Sequence, residues 1–430
     1  MRFERLQEWL DWQESQFPSP MNLGLERVRA VVECMQWPPR RFPLVVVAGT
    51  NGKGSCVAFL QSAFVAAGYK VGTYTSPHLL RYNERIRIDG VPLDDATIMQ
   101  SFARLDERRS DTTMTYFEFG TLAAMDQFIA QDCDVAVMEI GIGGRLDAVN
   151  VFDADIALIT TIDIDHRQWL GDDREAIGRE KAGILRLDRP AVVAERNPPR
   201  SVRRRAGQLY APLHVLGESF ERYDNGHVWT WSHGSTVWET LPQPALKGDF
   251  QKDNAAGAFM VLHLLAPSHP VSREAVDRAL QYPDLEGRFQ QVSAAPRIIV
   301  DVAHNAQATR TLADNLRGDT VPRGRTLAVA ALLADKDLAA ALEPLLGLID
   351  EWHISGLDGP RGDDGTGVRT VLSGFGVTAL SCHQNVLAAM ESARARAASN
   401  DTIVVFGSFH TVSSVLALPC WTTERSGRLR

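Results

Sequence analysis

Short, wholly apolar runs that stop at a glycine or a charged residue recur along this chain, and longer segments of helical spacing separate them. PLVVVAGT (43–50) carries no polar side chain before its closing Gly-Thr, the pattern of a strand buried on both faces. CVAFLQSAFVAAG then reads as a helix closed by Gly68, and VGTYTS (71–76) as the next strand. Further strands are predicted at DVAVMEIG (134–141), DIALITTI (155–162) and PAVVAE (190–195), with helical stretches such as TLAAMDQFIAQ between them. Residues 1–36 read as helices interrupted near Pro18 and Pro20, with Phe3, Leu6, Trp9 and Leu10 at helical spacing. Strands alternating with helices predict an α/β fold on a doubly wound sheet.

The pattern changes in the second half. Residues 205–245 are richer in Trp, His and Thr and alternate, as in HVWTWSHGSTVWETL, which predicts a small antiparallel insert or edge. A helix around 252–266 follows, and then YPDLEGRFQQVSAAPR, which reads as a loop. RIIVDVAHN, TLAVAALLA, EWHISGL and TIVVFGS start a second strand-and-helix series. At 430 residues the chain exceeds one ordinary domain of about 150 residues. A boundary near 293–297 divides it into a nucleotide-binding domain, 1–293, and a smaller Rossmann-like domain, 297–430. Ligands of open α/β sheets sit at the carboxyl ends of strands, where nearly all the motifs below fall.

Composition narrows the function classes. The chain is 45% hydrophobic and 23% charged, enough apolar residues for a sizeable core. A net charge of −8 and a pI near 5.8 argue against a general nucleic-acid or membrane surface. The basic run Arg200, Arg203, Arg204, Arg205 is expected to be a solvated helix face. Cys34, Cys56, Cys133, Cys382 and Cys420 are scattered with no CxxC pair, so neither a disulfide framework nor a thiolate zinc site is indicated. The N-terminus, MRFERLQEWLDWQESQFP, lacks the basic start and apolar core of a signal peptide. No run approaches the roughly 18 apolar residues of a membrane span, so a cytoplasmic location is expected.

The sharpest chemical signal is VVVAGTNGKGSCVAFL, in the order strand, glycine-rich loop, lysine, hydroxyl residue, helix. In Gly49, Thr50, Asn51, Gly52, Lys53, Gly54 and Ser55 the glycines let backbone N–H groups converge on the phosphates of ATP, aided by the helix dipole. Lys53 supplies a point charge for the β- and γ-phosphates, and Ser55 a magnesium-type ligand. The loop departs from the Walker pattern: Val47 stands where its first glycine belongs, and Gly54 separates Lys53 from Ser55. The plainer alternative is a glycine turn beside a solvent lysine. Glu139, at the end of DVAVME, is placed as a Walker-B-like acid for Mg2+. His166 in TTIDIDHRQWLG also follows a strand end, but imidazole is an unusual magnesium ligand and a structural histidine fits equally. Asp163 and Asp165 suit an acidic site or a helix cap. Read plainly, Lys181 in GREKAGILR is a surface lysine, and Asn305 in DVAHNAQA caps a helix.

GTNGKGS, TSPHLLRYNERIRI, TYFEFGTLAAM, MEIGIGGRLDAVNV, DHRQWLG, REKAGIL, LKGDFQKDNAAGA, LEGRF, DVAHNAQA and GSFHTV together resemble one family, the folylpolyglutamate synthase/dihydrofolate synthase branch of the Mur ligases. The resemblance runs in order over nearly the whole chain, residues 20–417. Amino-acid-adding Mur ligases carry GTNGK followed directly by Ser or Thr, so Gly54 resembles the folate branch. The resemblance implies an ATP-dependent ligase that adds L-glutamate to dihydropteroate and to reduced folates through an acyl phosphate. The spelling of TYFEFGTL and DHRQWLG resembles the bifunctional bacterial form. Rival readings are a polyglutamylase only, a peptidoglycan-type ligase acting on a UDP-muramoyl substrate, and a nucleotide-binding regulatory module without chemistry.

The resemblance also implies roles. Ser76 and Glu139, with Ser55 as a contributor, hold one Mg2+; Glu139 and His166 hold a second; Lys181 matches a position carbamylated in the family. Asn254 contacts adenine, Arg288 the γ-phosphate and Asp301 the ribose or its linker. His304, Ser408 and His410 form the glutamate pocket, and Lys336 in ADKD steadies the transferring phosphate, a surface lysine being the plain alternative. Phe117 stacks on the pterin with Phe119 in the core, while Arg145 and Asp147 of GIGGRLDAVN read as a mutual pair. A monomer that clamps ATP between closing domains is expected.

Overall fold

Residues 2–17, 23–319, 321, 324–359 and 361–418 are described by the structure, a computed structural model. The predicted break near Pro18 and Pro20, and Cys420, lie outside them. The chain divides into two units, Met1–Ala245 with Asp249–Asp284, and Leu246–Gly248 with Leu285–Arg430.

The sheet of the first unit contains β1 (Leu44–Ala48), β2 (Val71–Tyr74), β3 (Ile86–Ile88), β4 (Val91–Pro92), β5 (Val135–Glu139), β6 (Ile156–Ile159), β7 (Ala191–Val193) and β8 (Leu213–Val215). Their order is β4-β3-β2-β5-β1-β6-β7-β8. The strands from β2 across to β8 are parallel, and β3 and β4 add an antiparallel edge. Every residue of β1 and β5 is buried, because helices cover both faces. Alternate side chains serve alternate faces. Leu44, Val46 and Ala48 join a core with Trp9, Phe102 and Phe119 from helices Leu6–Ser15, Asp95–Arg108 and Tyr116–Ala130. Helices Lys53–Ala66 and Phe250–Leu265 pack on the opposite side. The chain leaves β1 toward β2 on one flank and later reaches β6 on the other. The loops after β5, β1 and β6 therefore open side by side, at the crevice where sheets of this kind take ligands.

β9 (Glu221–Asp224), β10 (Val228–His233) and β11 (Thr236–Pro242) form the predicted antiparallel insert. Trp229 and Trp231 of β10 are buried, and Trp229 stacks on Phe259 at 5.6 Å, so the alternation marks a packing face. The earlier part of 205–245 is not insert, since β8 extends the parallel sheet. The arginines of helix Arg200–Gln208 face solvent, and Arg203 pairs with Glu218.

The sheet of the second unit contains β12 (Gln290–Ala294), β13 (Arg297–Asp301), β14 (Thr326–Ala330), β15 (Glu351–Ser355), β16 (Leu380–His383) and β17 (Thr402–Phe406). The order is β12-β13-β17-β14-β15-β16, parallel except for β12. β12 corrects the sequence reading, which left its residues in a loop. It begins ahead of the 293–297 segment, and its composition, QQVSA, is that of a short polar edge strand with little apolar signal. Among the described residues no helix is long and apolar enough to cross a membrane.

Candidate active site

β1 ends at Ala48 and the next helix begins at Lys53, so residues 49–52 must turn the chain within one tight loop. Gly52 makes that turn at φ 86°, ψ −10°, a conformation open to glycine at no steric cost. Close approach fixes two of the glycines. A Cβ on Gly49 would lie 1.7 Å from Thr160 Oγ1, and one on Gly52 2.4 Å from Asn254 Oδ1. The helix start has no side-chain cap and no acid in its first turn. Its N–H groups and positive dipole end therefore offer an anion site. The Lys53 ammonium folds over the same loop, donating to the carbonyls of Gly49 (3.1 Å) and Thr50 (3.3 Å).

The segment after β6 is laced to this loop. Thr50 N–H donates to Thr161 O at 2.7 Å. Thr50 Oγ1 donates to Asp163 O at 2.9 Å and accepts the Asp163 N–H at 3.1 Å. The hydroxyls of Thr160 and Thr161 donate to Asn51 O at 2.5 and 3.3 Å. Three residues on, His166 is held at φ 51°, its N–H donating to Asp165 Oδ1 at 2.8 Å. Neither Asp163 nor Asp165 caps the short helix Arg167–Leu170 that follows, whose N-cap position is His166 without a side-chain cap; the next helix, Arg174–Lys181, is capped by Asp173.

Glu139 closes β5 opposite Val47 of β1, and is 5% exposed. Its Oε2 accepts the N–H of Ser76 at 3.2 Å. Ser55 is buried in the first turn of the adjacent helix. Burial, and then the charge of Glu139, push the neighbouring Cys56 thiol far up, so it stays neutral. Lys181 is no surface lysine: it is 2% exposed. Burial first, and then repulsion from Lys53, push its amine down to about 7, while Asp165 and Asp147 pull the other way. Asp147, which the sequence pairs with Arg145, is buried and pushed up to about 7 by desolvation. It accepts N–H bonds of 3.0 Å from Gly141, Ile142 and Val149, which oppose that shift. It does not pair with Arg145, whose guanidinium donates to Glu180 Oε1 at 3.0 Å. Among the described residues no cluster of three or more His, Cys, Asp or Glu side chains suits a metal ion. The donors present, one buried carboxylate among hydroxyls, suit a hard cation that arrives with phosphate.

Asn254 is 1% exposed, with Oδ1 against Gly52 and Nδ2 donating to Gln251 Oε1 at 3.0 Å. Phe119 is core, and Phe117 is half-buried between Tyr74, at 5.8 Å, and the backbone of Gly141.

In the second unit the Arg288 guanidinium lies over the Phe409 ring at 5.2 Å, and His304 stands 6.4 Å from the same ring. Asp301 accepts the N–H groups of Phe289 and Ala303, each at 2.8 Å. Burial nonetheless holds its carboxyl above the usual range, against Arg288 and those N–H groups. Asn305 and Ser408 cap the helices Ala306–Arg317 and Phe409–Leu416. Ser408 is thereby engaged with Thr411, His410 is exposed, and Lys336 is half-buried on the turn after β14. Phe409, around which Arg288 and His304 gather, was missed in the sequence. Its one signal is an aromatic ring in GSFHTV, at the first position of the helix that follows a strand.

Two domain families match the chain: the Mur ligase middle domain over residues 47–262, and the Mur ligase glutamate ligase domain over 287–409. The dihydrofolate synthase/folylpolyglutamate synthase of Escherichia coli (strain K12) is 41% identical over 413 residues, 96% of this chain and 94% of the relative. Escherichia coli FolC in complex with DHPP and ADP superposes with a TM-score of 0.90 at 39% identity, covering 99% of both chains. A bifunctional folylpolyglutamate synthase/dihydrofolate synthase with Mn, AMPPNP and L-glutamate bound superposes with a TM-score of 0.88 at 41% identity, covering 96% of this chain and 98% of the other.

Proposed function

Because the chain belongs to the Mur ligase family, in its dihydrofolate synthase/folylpolyglutamate synthase branch, we propose that it joins L-glutamate to dihydropteroate and to tetrahydrofolates at the expense of ATP. It is an ATP-dependent carboxylate–amine ligase that works with a divalent cation, Mg2+. One observation carries the reading: the phosphate loop and Glu139 lie at the ends of the neighbouring strands β1 and β5, with Lys181 buried within electrostatic reach of Lys53, in a chain that matches its relatives almost end to end.

A carboxylate resists attack because its charge repels nucleophiles and oxide cannot leave. Phosphorylation by ATP removes both obstacles. The amine of L-glutamate then adds to the acyl phosphate, and collapse of the tetrahedral intermediate gives the amide, ADP and phosphate. The protein must hold the triphosphate and steady two developing negative charges.

The loop 49–55 holds the phosphates through backbone N–H groups, and Lys53 turns from its own loop's carbonyls to the β- and γ-oxygens. Glu139, Ser55, Ser76 and His166 provide the donors for Mg2+. The bound ion offsets charge on the transferring phosphate. Lys181 is carbamylated: its neutral amine adds to CO2, forming an N–C bond and releasing one proton. Its burial and lowered pKa support this. Asn254 contacts adenine, Arg288 the γ-phosphate and Asp301 the ribose. His304, His410 and the helix start at Ser408 receive glutamate, Lys336 steadies the phosphate, and Phe117 stacks on the pterin. The enzyme is a cytoplasmic monomer, for which light scattering should give a mass near 47.4 kDa.

ADP release should appear with 7,8-dihydropteroate plus L-glutamate, and again with tetrahydrofolate plus L-glutamate. Release with tetrahydrofolate only would reduce the enzyme to a polyglutamylase, and release with neither substrate would overturn the assignment.

A further inference from the structure

The segment 160–166, which carries His166, has no regular secondary structure along its length. Something other than a helix or sheet ladder must fix its path. On one side the threonines of the phosphate loop and of the segment itself bond Thr160, Thr161 and Asp163 to residues 50 and 51. On the other side lies Ile162, whose side chain is buried. Its N–H donates to Glu195 Oε2 at 2.8 Å, and its carbonyl accepts from Arg174 Nε at 2.8 Å. Arg174 and Glu195 are in turn paired with each other through Arg174 Nη2, which also donates to Asn197 O at 3.2 Å. One ion pair thus grips both polar groups of one residue.

Its ends are anchored in different elements. Glu195 follows β7, and Arg174 opens the helix that ends at Lys181, about 10 Å away along the axis at 1.5 Å per residue. We infer that Arg174 and Glu195 form a positioning pair, which sets the path of the His166 loop and the start of the Lys181 helix relative to the phosphate loop. The inference rests on the proposed roles of His166 and Lys181.

Exposure separates this role from a merely stabilising one. The Arg174 side chain is 43% exposed and that of Glu195 16%, so the attraction between them is partly screened by solvent and adds only modestly to stability. Misplacing a reacting group by about 1 Å, by contrast, can cost roughly a hundredfold in rate. Loss of the pair should appear in kcat and cation binding rather than in Tm.

The test compares Glu195→Ala, Glu195→Gln, Arg174→Lys and His166→Ala in the full chain. It reads steady-state kinetics, thermal unfolding, and Mn2+ binding in the ADP complex by electron paramagnetic resonance. Glu195→Ala should lower kcat by about 10–100-fold and weaken Mn2+ binding, with KM for L-glutamate and Tm little changed. Glu195→Gln keeps an acceptor for the Ile162 N–H and should recover most of the loss. Arg174→Lys keeps the charge without the fork, and should resemble Glu195→Ala. Wild-type kcat and Mn2+ affinity in Glu195→Ala, or a loss of Tm with both intact, would overturn the pair's role. His166→Ala separates that failure from failure of the proposed site. Wild-type behaviour in His166→Ala removes His166 from the site, whereas a loss there beside an intact Glu195→Ala removes only the pair.

Discussion

Both sheets present candidate residues at the carboxyl ends of their strands, but the two sets are held in different ways. In the first unit the bonds reach across the chain: Thr50 to Asp163, Asn51 to Thr160, Ser76 to Glu139, Ile162 to Glu195. In the second unit several are local: His304 to Val302, Asp301 to Ala303, Asn305 to Ala308, Ser408 to Thr411. Long-range bonds make a site whose geometry the fold itself specifies, so its electrostatics are organised before any substrate arrives. Local bonds make ordinary strand-to-helix turns, whose chemistry depends on what docks against their helix starts. The first site should therefore be brittle to small steric changes and the second tolerant of them.

The largest expected effect tests the brittle side. Gly49→Ala places a methyl group 1.7 Å from Thr160 Oγ1, far inside any van der Waals contact. The phosphate loop and the 160–166 segment cannot both keep their positions. ADP binding, followed by calorimetry, should fall below detection and ligase activity to background. Near-normal ADP affinity would show that the lacing between the two loops is slack, and the contrast between the units would lose its basis.

What was legible in the sequence follows the same division. β1, β5 and β6 announced themselves because strands buried on both faces are near-continuous apolar runs, broken in β5 only by the closing Glu139, and the glycine loop between β1 and its helix has few other uses. Side-chain pairing was harder. Arg145 stands two residues from Asp147, yet it turns to Glu180, whose backbone also receives its N–H at 2.9 Å. The burial of Lys181 was invisible on residue chemistry alone, because its helix, REAIGREK, is charged at both ends and carries only Ala176 and Ile177 as apolar side chains. The cause lies elsewhere in the chain: the glycines after β5 let that loop press on the helix end, so that a Cβ on Gly144 would sit 3.1 Å from Lys181 Cα. In the second unit β12 escaped notice as a polar edge strand, and Phe409 because the neighbouring Ser408 and His410 offered more obvious chemistry.

Lys181 gives an intermediate effect with a pH signature. Carbamate formation consumes the neutral amine, and the neutral fraction grows as pH rises past the pKa. With the amine pushed down to about 7, uptake of 13C-labelled bicarbonate should increase through pH 7 and be substantial by pH 8. An ordinary lysine, near 10.4, would stay almost wholly protonated there. A carbon resonance in the carbamate region should appear in the wild type and vanish in Lys181→Ala, with kcat lower by about a hundredfold, as for loss of one electrostatic stabiliser. No resonance at pH 8 would leave Lys181 an uncarbamylated buried amine.

The smallest expected effects lie at the caps of the second unit, where they bear most directly on the comparison. Ser408 Oγ accepts the Thr411 N–H at 3.0 Å and sits 2.7 Å from Thr411 Oγ1, itself bonded to Ala331 O at 2.6 Å. Asn305 Oδ1 accepts the Ala308 N–H at 2.9 Å. Removing either cap should cost about 1 kcal/mol in urea unfolding, and glycine in place of alanine only a few tenths. Because each hydroxyl or amide is engaged within its own turn, a ligand there would meet chiefly the N–H groups of the helix start. KM for L-glutamate should then rise only a few-fold in Ser408→Ala, in step with the loosened cap, and less in Ser408→Gly. A KM increase beyond tenfold with urea stability unchanged would mean that the hydroxyl itself recognises glutamate. The second site would then share the fixed, specific character of the first.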